Sequence, residues 1–165
     1  MRIAVILIFV VCVLAIAFWT TFRSARERLV RQREAIASEW AQVDLALEGR
    51  ADLVTSLQPA TAADAALWKQ LHAAAAALEA AATPADKIRA NERLSALLDR
   101  LPRSEPAATR QRLSDAEDRI DVERRRYNEM LEHYNAAIQH FPDNIVAAIA
   151  GFSRDDAYLP TATGK

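Results

Sequence analysis

Hydrophobic and polar positions divide this chain into two regimes. From Ile3 to Phe22 no charged residue interrupts the run IAVILIFVVCVLAIAFWTTF, and a helix of that length, at about 1.5 Å per residue, spans the roughly 30 Å hydrocarbon core of a bilayer. Its Ile, Val, Leu and Phe side chains, at roughly −0.3 to −0.6 kcal/mol each, favour insertion by about 4 to 8 kcal/mol. Beyond Phe22 the apolar residues Leu29, Ile36, Trp40, Val43, Leu47, Val54 and Leu57 recur at helical spacings. This predicts a helix from about Arg23 to Gln58, stopped by Pro59. No breaker lies between Phe22 and Leu29, so the apolar span and this helix can be continuous.

Prolines and caps cut the remainder. Thr61 can cap a second helix to about Ala82, with a narrow stripe of Leu67, Leu71, Ala74 and Leu78 and an alanine run, Ala73 to Ala77, that permits close approach of a neighbour. Thr83-Pro84-Ala85-Asp86 places a capping hydroxyl, a proline at the first helical position and an acid in the first turn, which starts a third helix to about Leu101. Pro102 and Pro106 bracket the next connection. The last long helix, about Ala107 to His140, carries a seam of Leu113, Ile120, Tyr127, Tyr134 and Phe141 at intervals of seven, with Ala116, Met130 and Ala137 beside it and Glu123 interrupting it. Its other face bears Asp115 with Arg119 and Asp121 with Arg125 as i, i+4 pairs. The run Arg124-Arg125-Arg126, flanked by Asp118, Asp121 and Glu123, reads as neutralised helix surface rather than a binding patch.

The expected fold is all-α: an N-terminal single transmembrane helix followed by an antiparallel helical bundle with two long helices and two shorter ones. Residues 1–22 form the anchor (a short stub and the span 3–22), 23–158 the bundle, and 159–165 a disordered tail. Antiparallel pairing of the long helices sets Tyr127 near Val43 or Asp44, Tyr134 near Ile36, and Phe141 near Leu29.

Charge supplies the address. Arg23, Arg26, Arg28, Arg31 and Arg33 follow the span, against Arg2 and the α-amino group on the other side, so the positive-inside rule places the domain in the cytoplasm, single-pass in the cell (inner) membrane, with the short N-terminus outside. A cleaved signal peptide is the rival reading, since Ala15-Ile16-Ala17 has the small-x-small form, but the run is long for an h-region and the basic cluster opposes export. The formal net charge is −1, which leaves no bulk field for nucleic acid, and the juxtamembrane arginines sit where lipid headgroups meet them. One cysteine, Cys12, rules out an intrachain disulfide and a Cys-based zinc site. His72, His133 and His140 lack metal-ligand spacing and read as surface residues; no phosphate loop or nucleophile elbow occurs. No catalytic residue, metal or cofactor is expected, and the chain reads as a non-enzymatic scaffold or adaptor with a protein partner of unknown identity or a second copy of itself. A lipid-sensing or membrane-remodelling protein is the alternative.

Trp40, Val43-Asp44 and Arg50-Ala51-Asp52-Leu53-Val54, then Tyr127-Asn128, Tyr134-Asn135, Ile138, Phe141-Pro142-Asp143-Asn144, Ala147, Gly151-Phe152 and Tyr158, together resemble the LemA family. The paired Tyr-Asn steps followed by FPxN and GF carry most of that resemblance. It covers the anchor, the first helix and the final fifty residues, roughly two thirds of the chain. The alanine-rich middle departs from it, as do Gly49, where a second basic residue is usual, and Thr55-Ser56, where Pro-Asn is usual. The resemblance implies one amino-terminal membrane helix, a small outer stub and a helical-bundle domain, and names no reaction. Asp44, Arg50, Asp52, Asn128 and Asn135 lie beside core positions and must be paired where buried, which makes them a register-fixing network; the sharper reading makes that strip a docking groove. The segment from Phe141 to Tyr158 contains a short apolar helix ended by Gly151 as a left-handed cap, which either closes the bundle core or lies against lipid.

Overall fold

The computed structural model describes residues 2–58, 64–102 and 106–160. Those residues form five α-helices and no strand: α1 (Arg2–Ser56), α2 (Ala65–Glu79), α3 (Pro84–Leu98), α4 (Ala107–Ala137) and α5 (Asp143–Ala150). The apolar span and the first predicted helix are one uninterrupted helix. Thr83 caps α3 as its sequence requires: its hydroxyl accepts from the Asp86 amide at 3.1 Å and donates to the Asp86 carboxylate at 2.7 Å. Thr61, the expected cap of α2, lies outside the described residues, and α2 itself buries Trp68, Leu71, Ala75 and Leu78. The stripe is therefore one position displaced from the expected Leu67 and Ala74, because the large indole at Trp68 takes the inward position.

The chain packs as two units: Met1–Ser38 with Asn128–Tyr158, and Glu39–Tyr127 with Leu159–Lys165. In the second unit α2 packs against α3, and the core contains Val43, Leu47, Val54, Leu71, Leu94 and Ile120, all fully buried. Here α1 and α4 run antiparallel. The Trp40 and Tyr127 rings meet edge-on at 6.0 Å, and Arg50, farther along α1, reaches Glu117, earlier on α4. Tyr127 thus meets Trp40, one turn before the expected Val43 or Asp44 on α1. Leu159 is buried and the Pro160 carbonyl accepts from Arg124 at 3.3 Å; the rest of the expected tail lies outside the described residues.

In the first unit Ala25, Leu29, Leu131, Tyr134, Val146 and Ala147 are buried. Asp143 begins α5, and Gly151 ends it at φ 75°, with the Phe152 amide donating to the Ala147 carbonyl at 2.9 Å. An L-residue with a β-carbon is disfavoured in that left-handed conformation, which explains the glycine. Residues Ile3 to Trp19 of α1 are exposed along their length. Among the described residues this is one helix long and apolar enough to cross a membrane.

Candidate functional site

The residues singled out in the sequence separate into two polar clusters, one in each unit. In the second unit the centre is Arg50, 3 % exposed. Its Nη1 donates to Asn91 Oδ1 at 2.6 Å and to Ser95 Oγ at 2.9 Å, its Nη2 forms an ion pair with Glu117, and Ser95 Oγ donates to Glu117 at 3.3 Å. Burial lowers the Arg50 pKa from the ordinary guanidinium value, an effect opposed by the Glu117 charge and reinforced by Arg124. Lys87 pairs with Asp44 and stands 3.6 Å from Glu48. Lys87, Asn91 and Ser95 follow each other at i, i+4 on α3 and so form one polar stripe. Sequence reasoning missed these partners, although that spacing was visible.

Arg124 corrects the expectation of an exposed arginine run. It is 5 % exposed and sits in the α4 seam between Ile120 and Tyr127; Arg125 and Arg126 remain at the surface. Asp121 lies 3.8 Å from it, and its Nε and Nη2 have no hydrogen-bond partner among the described residues. The expected i, i+4 pairs give way to others: Asp121 faces Arg124, and Asp115 accepts from Gln111 at 2.7 Å. Asp52 is exposed and stands outside the buried network. His72 is half-buried rather than superficial, its Nε2 3.1 Å from the Leu57 carbonyl and its ring against Trp68; His133 and His140 are exposed.

In the first unit Asn135, 3 % exposed, clasps the segment after α5. Its Nδ2 donates to the Asp155 carbonyl at 2.6 Å and to the Tyr158 hydroxyl at 3.1 Å, and its Oδ1 accepts from the Asp155 amide at 2.9 Å. Tyr134 donates to the Ser153 carbonyl at 2.9 Å, and burial pushes its phenol pKa up. Arg33 lies over the Phe152 ring at 5.9 Å, a cation–π distance. Asn128 and Pro142 are half-buried and Asn144 is exposed. The juxtamembrane arginines do not act alike: Arg23 pairs with Glu27 at 3.1 Å and Arg28 with Asp143 at 2.5 Å, while Arg26 and Arg31 are exposed.

Phe141 departs from the expected seam. It is 79 % exposed and lines an apolar groove of about 400 Å³ with Leu14, Ala17, Phe18, Thr21, Phe22, Pro142, Ile145 and Val146, and not with Leu29. The helix has already ended at Ala137, and the residue before a proline is biased away from helical backbone, so the period of α4 no longer governs position 141.

Among the described residues no group of three His, Cys, Asp or Glu side chains is placed to hold a metal ion. No curated protein matches the chain. The family model described as LemA matches residues 39–164, which takes in the Arg50 cluster, the Asn135 clasp and α5 and begins beyond the apolar span. The chain belongs to the LemA family.

Proposed function

We propose that this LemA-family chain is a non-enzymatic, membrane-tethered scaffold or adaptor, inserted once in the cell (inner) membrane with its short N-terminus outside and its helical domain in the cytoplasm. The observation that carries this reading is α1: its apolar first part is exposed, and the same helix runs on without a break to supply core residues such as Leu29, Val43 and Leu47. A helix that both inserts and packs holds a folded domain at the bilayer surface, and the five arginines after the span favour the cytoplasmic side.

The partner is a protein or a second copy of the chain. Asn135 and Arg50 are committed to internal bonds, so they serve the fold; Asp52, a polar candidate on α1, is exposed and accessible to a partner. In-membrane crosslinking of the full chain tests this: a reproducible protein adduct lost in Asp52→Ala, at unchanged melting temperature, supports a docking role on that face. Capture of lipid alone would overturn the scaffold reading and favour the lipid-sensing one. That second reading draws on the exposed apolar residues Phe141, Ile145 and Ile149.

A further inference from the structure

α5 stands beside α1 in a defined order. Its first turn, with Phe141 and Pro142 ahead of it, shares a groove with Leu14, Ala17, Phe18 and Phe22, while Ala150 and Phe152 at its far end stand beside Val30, Arg33 and Ala37. The corner between α4 and α5 therefore lies at the level of the last two turns of the apolar span. Leu14 to Phe22 covers about 12 Å of helix, so a bilayer that surrounds the span also meets this corner.

The side chains suit that depth. Phe141, Ile145 and Ile149 are exposed, at successive i, i+4 positions, while Val146 and Ala147 pack inward. The single acid of the corner, Asp143, is neutralised by Arg28 at 2.5 Å. His140 and Asn144, also exposed, keep the corner near headgroup level. The groove holds about 400 Å³, is open on one side and is lined almost wholly by apolar side chains, which is room for a stretch of hydrocarbon chain, since about 150 Å³ already accepts benzene.

We propose that the α4–α5 corner is a second membrane contact: Phe141, Pro142 and Ile145 enter the leaflet that the domain faces, and the groove they form with α1 holds an acyl chain of a bilayer lipid. This rests on the span being inserted. It holds the first unit, Met1–Ser38 with Asn128–Tyr158, to the bilayer at two places instead of one.

The test uses the full chain in phosphatidylethanolamine/phosphatidylglycerol vesicles, with Cys12→Ser and one environment-sensitive fluorophore at Ile145→Cys, Val11→Cys or Glu132→Cys. Nitroxide on the lipid acyl chains should quench the probe at position 145 nearly as well as at position 11, and aqueous iodide should quench it about threefold or more less than at position 132, as burial at the acyl boundary requires. A probe at 145 that behaves like that at 132, while 11 stays lipid-quenched, overturns the corner contact and leaves the tether intact. A probe at 11 that reads water overturns both. The label is itself apolar, so the unlabelled chain is also irradiated with lipid bearing a diazirine in its acyl chain: adducts on the 141–146 peptide are expected, and adducts confined to residues 3–22 would overturn the proposal.

Discussion

Removing Glu117 should cost more stability than removing Arg50, although the two form one pair. The side chain of Arg50 is 3 % exposed and that of Glu117 33 % exposed, so the two survivors meet different fates. In Glu117→Leu, Arg50 stays buried with the neutral hydrogen-bond partners Asn91 and Ser95 and only the more weakly acting acids Asp121 and Asp99, and a buried charge stripped of its counter-ion costs about 3 to 5 kcal/mol. In Arg50→Leu, Glu117 can take water through its open side, and the main loss is the Asn91 acceptor, 1 % exposed, worth about 1 to 3 kcal/mol when orphaned. The double variant Arg50→Leu/Glu117→Leu should lose about 2 kcal/mol less than the sum of the two single losses, which is the coupling energy of the pair. Urea unfolding of the full chain in non-ionic micelles, followed by far-ultraviolet circular dichroism, measures all four corners without the charge screening that guanidinium chloride adds. Equal and additive single losses would refute the claim that Glu117 acts by compensating a desolvated Arg50.

Arg124→Met should be neutral or stabilising by about 1 kcal/mol in the same assay, because it removes a buried cation that has, among the described residues, two donors without a partner and Asp121 at 3.8 Å, and replaces it with apolar volume. Asn135→Ala should lose about 1 to 3 kcal/mol and open the segment after α5 to trypsin at Arg154, since three bonds to Asp155 and Tyr158 go at once; an unchanged digestion rate would contradict the clasp. Gly151→Ala should cost about 1 to 2 kcal/mol from the left-handed backbone alone, because an added β-carbon meets nothing within 4 Å, and the melting temperature should drop accordingly. Burial holds the Tyr134 proton above the ordinary phenol value of 10.0, so the folded chain binds a proton that the unfolded chain releases. The associated stability is present below pH 10 and falls as pH rises beyond it, and Tyr134→Phe should flatten that decline in a stability–pH series.

Aliphatic periodicity made the helices legible, and the same periodicity misled where a polar or terminal residue held the position. Leu29, Val43, Leu47, Ile120 and Tyr134 are core positions by their spacing and are buried, because burying an apolar stripe is a local rule that any window of sequence displays. Arg124 occupies a seam position four after Ile120 and three before Tyr127, yet its charge and acidic neighbours pointed outward; spacing was the better guide. Phe141 continues the interval of seven arithmetically but follows the end of α4, so it belongs to the corner and not to the seam. The partners of Arg50 could not be read from any one segment, since Asn91, Ser95 and Glu117 reach it from α3 and α4. A shift of α4 along α1 by a turn would separate Arg50 from Glu117 and leave the buried guanidinium uncompensated. A buried charge parted from its counter-ion costs about 3 to 5 kcal/mol, so the Arg50–Glu117 pair disfavours packings that separate the two, a constraint that alanine and leucine stripes do not supply.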